Sequence, residues 1–106
     1  LSQKGLQSME FDHVAINVKD LPKSIDWYLE NLNATVDYAD DSWAMLSIGN
    51  TKVALTLESQ HPPHIAFKVK DFGKEQGSVQ SHRDNSRYVY VSDPDGNTIE
   101  LIQYAD

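Results

Sequence analysis

The chain carries one phrase twice: His13-Val-Ala-Ile-Asn-Val-Lys-Asp-Leu21 returns as His64-Ile-Ala-Phe-Lys-Val-Lys-Asp-Phe72, with His, Ala, Val, Lys and Asp in matching places. A repeat at this distance constrains the chain to two similar supersecondary units that cover each other's exposed faces. Each phrase alternates polar and apolar positions, the period of a strand, so the repeat duplicates an imidazole along with the scaffold that aims it.

The same alternation organises the first half of the chain. In residues 11–18, Val14, Ile16 and Val18 share one face while His13, Ala15 and Asn17 share the other, which predicts a strand whose apolar face seeks a helix. That helix is announced by Asp20 as N-cap and Pro22 in the first turn. Ile25, Tyr28, Leu29 and Leu32 follow at helical spacing, and Asn33 is a left-handed stop. Residues 34–38, 43–48 and 52–57 read as strands, separated by Asp40-Asp41-Ser42 and Gly49-Asn50, both of them hairpin turn chemistry. The first module is therefore βαβββ.

His61-Pro62-Pro63 interrupts the pattern, because neither proline donates to a sheet ladder. A second module restarts with a strand at 64–70 and ends with strands at 87–91 and 98–103 around Asp93-Pro94-Asp95-Gly96-Asn97. Residues 71–87 hold Gly73 and Gly77 and little apolar periodicity, which predicts a shortened helix or a turn and then a poor edge strand. The expected fold is α+β: two βαβββ modules, 9–60 and 64–106, forming one domain with a cupped, partly closed mixed sheet. Residues 1–8 are expected to be a flexible extension.

Composition narrows the function. Sixteen acidic residues against nine Lys and Arg give a formal net charge of −7, which disfavours binding to a phosphate backbone and argues against a nucleic-acid partner. No apolar run approaches a membrane span, and residues 1–8 lack the apolar core of a secretory leader, so a cytoplasmic location is expected. With no cysteine, metal binding has to use nitrogen and oxygen ligands.

These phrases resemble the glyoxalase, bleomycin-resistance and extradiol-dioxygenase superfamily, also called the vicinal oxygen chelate superfamily. The resemblance spans about 9–104. It is carried by His13-Val-Ala, by Asp20-Leu-Pro-Lys-Ser-Ile-Asp-Trp-Tyr28, by His64-Ile-Ala-Phe67 and, most specifically, by Asp93-Pro-Asp-Gly-Asn-Thr-Ile-Glu-Leu101. It implies a divalent metal (Zn, Ni, Mn or Fe) held by His13, His64 and Glu100. A fourth ligand common in the family falls at or near Ala54, which cannot coordinate, so the pattern is closer to the three-ligand branches than to glyoxalase I.

Alone, His13 or His64 reads as a strand histidine satisfied by a backbone group, and Glu100 as a solvated strand carboxylate. Pairing at matching points of a duplicated strand favours the ligand reading. Glu58, near a strand end, is a candidate general base against a plain surface role. His61 reads as exposed and inert, His82 has no supporting pattern, and Trp43, Tyr88 and Tyr90 read as core or cup wall. The resulting expectation is a glyoxalase-like metal-dependent lyase, isomerase, epimerase or transferase acting on a small molecule that chelates through adjacent oxygens. The alternative is a metal-free small-molecule or antibiotic-binding protein of the same fold. The resemblance also implies a homodimer.

Overall fold

Strand β1 (Glu10–Val18) follows its alternation, burying His13 and Ala15 on one side while Ile16 and Val18 pack into an apolar cluster on the other. The computed structural model describes residues 9–70, 72, 78–82 and 85–104; the extension expected at 1–8 lies outside the described residues. Helix α1 (Leu21–Asn31) begins where Asp20 Oδ1 accepts from the Lys23 N–H at 3.1 Å, with Pro22 in the first turn. It stops where the Leu32 N–H reaches the Tyr28 carbonyl at 3.0 Å and Asn33 takes φ +53°, a left-handed conformation that asparagine tolerates better than most residues.

Strands β2 (Thr35–Ala39), β3 (Trp43–Ile48) and β4 (Thr51–Leu57) complete the first module. The β3–β4 hairpin turns on Gly49 at φ +59°. A Cβ there would meet nothing within 4 Å, so the dihedral alone calls for glycine. The second module contributes β5 (His64–Lys68), β6 (Gln80–Ser81), β7 (Arg87–Ser92) and β8 (Thr98–Gln103). The poor edge strand expected before β7 is β6, which pairs Gln80 with Tyr88 and Ser81 with Arg87. The helix or turn expected ahead of it falls mainly on 71 and 73–77, outside the described residues.

The described residues form two compact units, 12–65 and, together, 9–11 with 66–104. In the first, the strands run β2-β3-β4-β1, antiparallel except for β1 and β4, which are parallel with Ala15 opposite Ala54. Its core joins Leu21 of the helix to Ala34, Ala44, Leu46 and Leu55, with Ile25 and Tyr28 packed against them. Burying each large aliphatic side chain of that set contributes roughly 1.5–3 kcal/mol.

The second unit orders its strands β5-β8-β7-β6, with β7 and β8 antiparallel from Arg87–Gln103 to Ser92–Thr98. Val69, Val89 and Leu101 form its core, flanked by Phe67, Phe72, Val91 and Ile99. The Asp93 carboxylate closes the β7–β8 turn by accepting from the backbone N–H groups of Asp95 and Asn97. Phe11 meets Phe67 edge to face and Glu10 pairs with Lys68, which is how the start of β1 belongs to this unit. Among the described residues, one helix and eight strands with mixed pairing make an α+β fold, as the sequence predicts. No helix among them is long and apolar enough to cross a membrane.

Candidate metal centre

In the first unit, β1 and the start of β5 bring the two repeated histidines together. Their rings meet edge to face with centroids 5.5 Å apart, and both side chains are buried. His13 Nδ1 lies 2.6 Å from Asp12 Oδ2, and His64 Nδ1 lies 2.7 Å from the Pro62 carbonyl oxygen. Both partners are pure acceptors, so each Nδ1 carries its proton and donates it. That assigns each ring's lone pair to Nε2, the tautomer found on histidines that ligate metal.

The linker holds its end of this arrangement through Asn17. Its amide donates to the His61 carbonyl at 3.0 Å and to Thr56 Oγ1 at 2.9 Å, tying the His61-Pro62-Pro63 segment to β1 and β4. His61 is half-buried and engaged through its backbone, which corrects its reading as an exposed, inert residue. Ala54 sits buried opposite Ala15, so β4 supplies no ligand there. Glu58 lies just beyond β4, in a turn closed by the Gln60 N–H on the Leu57 carbonyl, and is exposed.

In the second unit, Glu100 occupies the middle of β8 and is 2% exposed. A carboxylate so far from water needs a charged or hydrogen-bonding partner. One is His82, whose Nε2 lies 3.1 Å from Glu100 Oε2 and whose ring stacks on Tyr88 with centroids 3.8 Å apart. Tyr90 stands opposite Glu100 in the β7–β8 register. Burial, reinforced by the Glu100 charge, raises the hydroxyl pKa of both Tyr88 and Tyr90 above the ordinary tyrosine range, so both remain protonated donors at neutral pH. Trp43 packs against Tyr38 instead.

His82 is one residue that sequence reasoning missed, and Asp12 is another. The partner of His82 is distant in sequence, and only the pairing of β6 with β7 and of β7 with β8 carries His82 toward the middle of β8.

Residues 10–76 match the family model for the Glyoxalase/Bleomycin resistance protein/Dioxygenase superfamily. The chain belongs to this superfamily. Within it, the chain is 29% identical to the metallothiol transferase FosB of Staphylococcus epidermidis, over 85% of this chain and 78% of the relative. It is 28% identical to the same enzyme of Staphylococcus saprophyticus, over 85% and 74%. Among solved structures, the fold matches Streptomyces coelicolor methylmalonyl-CoA epimerase in complex with 2-nitronate-propionyl-CoA at a TM-score of 0.71 and 18% identity, covering 93% of this chain and 100% of the other. Methylmalonyl-CoA epimerase from Mycobacterium tuberculosis matches at 0.63 and 22%, covering 92% and 89%. These superpositions agree in fold with the superfamily assignment.

Proposed function

We propose that the chain is a metal-dependent, glyoxalase-like enzyme of the transferase or epimerase type, in which His13, His64 and Glu100 hold a divalent cation for a small substrate with adjacent oxygen donors. The observation that carries this reading is the buried edge-to-face pair of repeated histidines, each with Nδ1 committed to a local acceptor. All three residues are buried. Two imidazole nitrogens and a carboxylate oxygen form a donor set that suits Zn, Ni, Mn or Fe and leaves coordination positions for substrate. The names of the relatives, a metallothiol transferase and an epimerase, fit this class of activity.

When bound, the ion supplies Lewis acidity toward the substrate's oxygens. The chain's own residues do the rest. Asp12 and the Pro62 carbonyl orient the two rings, β8 keeps Glu100 out of water, and Tyr88 and Tyr90 offer hydroxyl donors and aromatic faces. Glu58 is kept as the proton-transfer candidate, and a cytoplasmic homodimer as the working form.

Elemental analysis after gentle purification tests the proposal. Wild type is expected to carry a stoichiometric divalent ion and His64→Ala none; unchanged metal content in the variant would refute the ligand assignment. Thermal-shift screening of dicarbonyl, hydroxy-acid and phosphonate compounds then seeks the substrate. With that substrate, Glu58→Gln is expected to slow turnover while leaving metal content intact. Metal-free binding of a small cationic molecule is the second reading, favoured by the net charge of −7 and by the alanine at position 54.

A further inference from the structure

The geometry points to His82 as a positioning residue that tunes which ions Glu100 accepts, an inference that rests on the metal reading above. Two backbone contacts and two ring contacts fix this residue. Its backbone is held at both ends, the N–H donating to the Ser86 carbonyl at 2.9 Å and the carbonyl accepting from Asn85 at 3.1 Å. Its ring lies 3.8 Å from Tyr88, inclined by only 16°, so the plane of the imidazole is set by stacking. Its Nε2 then meets Glu100 Oε2 at 3.1 Å. Because a carboxylate oxygen only accepts, His82 carries its proton on Nε2 and donates it.

The consequence lies in how the carboxylate is shared. Glu100 Oε2 gives one of its lone pairs to His82, which disfavours chelation of an ion through both carboxylate oxygens at once. Small transition ions, which favour few ligands at short distances, are served by a single carboxylate oxygen. Calcium collects six to eight oxygens and readily takes both from one carboxylate. His82 therefore biases the site toward transition ions and against calcium. Its side chain is 30% exposed while that of Glu100 is 2% exposed, so it meets solvent at the edge of the buried carboxylate and is open to substitution.

Calorimetric titration of the full chain with Mn²⁺ and, separately, Ca²⁺ tests this in wild type, His82→Phe and His82→Gln. Phenylalanine keeps a ring for Tyr88 and removes the donor; glutamine keeps an N–H donor and removes the ring. His82→Phe is expected to weaken Mn²⁺ binding about tenfold or more, the usual size of a lost outer partner, and to narrow the preference for Mn²⁺ over Ca²⁺. His82→Gln is expected to restore most of that preference. A general loosening of the fold would weaken both ions together and leave their ratio in place. An unchanged ratio in His82→Phe, with wild type binding Mn²⁺, overturns the role of His82 alone; wild type that binds no ion overturns the metal reading with it.

Discussion

The two copies of the repeated phrase bury the same residues, His13 with Ala15 and His64 with Ala66, yet they orient their histidines by different means. His13 donates to the carboxylate of its neighbour Asp12, a charged acceptor that strengthens the ring as an electron donor. His64 donates to a neutral carbonyl delivered by the Pro62-Pro63 linker, itself tied down by Asn17. The difference teaches that the two copies share the histidine and its strand, while the orienting group comes from the chain that precedes each copy.

The two compact units are the first place to press this comparison. Leu46→Ala in the first unit and Leu101→Ala in the second each remove a buried side chain, at an expected cost of about 3 kcal/mol. Both tryptophans, Trp27 and Trp43, lie in the first unit, so urea unfolding followed by tryptophan fluorescence reports on that unit alone. If the chain is a single cooperative domain, Leu101→Ala shifts the fluorescence transition as far as the circular-dichroism transition. Separate midpoints would divide the two.

A smaller effect separates the histidines. Asp12→Asn is expected to weaken metal binding about 10-fold to 100-fold by calorimetry. Asn17→Ala, which loosens the linker behind the neutral carbonyl and removes the bond to Thr56, should cost clearly less. Equal losses would erase the distinction between charged and neutral orienting groups.

At the helix, Asp20→Ala removes the cap and should lower stability by about 1 kcal/mol in chemical denaturation.

The smallest effect compares two turns. The Tyr38 hydroxyl and the Ser42 and Trp43 N–H groups hold the Asp40 carboxyl below its ordinary pKa; the Asn97 side chain and nearby backbone N–H groups do the same for Asp93. A folded pKa below the unfolded value stabilises the fold above the unfolded pKa, near 4. That contribution is lost as pH falls through the folded value. Stability measured against pH should therefore fall less steeply below pH ~4 in Asp40→Asn and Asp93→Asn than in wild type.

Local chemistry made much of this legible in the sequence. Asp20, Pro22 and Asn33 bound the helix because caps and stops act over a few residues, and Gly49 marks a hairpin because few residues accept its dihedral. The histidine pair was legible because the phrase is duplicated. Asp12 was not, since neighbours on a strand ordinarily face opposite sides and nothing in the alternation tells that one will reach the other. Glu58 extends the alternation of β4 on paper, but the strand ends at Leu57 and a turn carries the residue into solvent. His82 depends on two successive strand registers, which no local pattern encodes.

The grouping of Glu10 and Phe11 with Lys68 and Phe67 has a consequence for how the chain is made. Residues 12–65 form an uninterrupted stretch that leaves the ribosome whole and is able to collapse at once. The other unit joins residues 10 and 11 to residues 66–104, so Glu10 and Phe11 wait for Lys68 and Phe67 of β5 to emerge after the whole of 12–65. The order of synthesis and the order of completion are thus opposite for the start of β1.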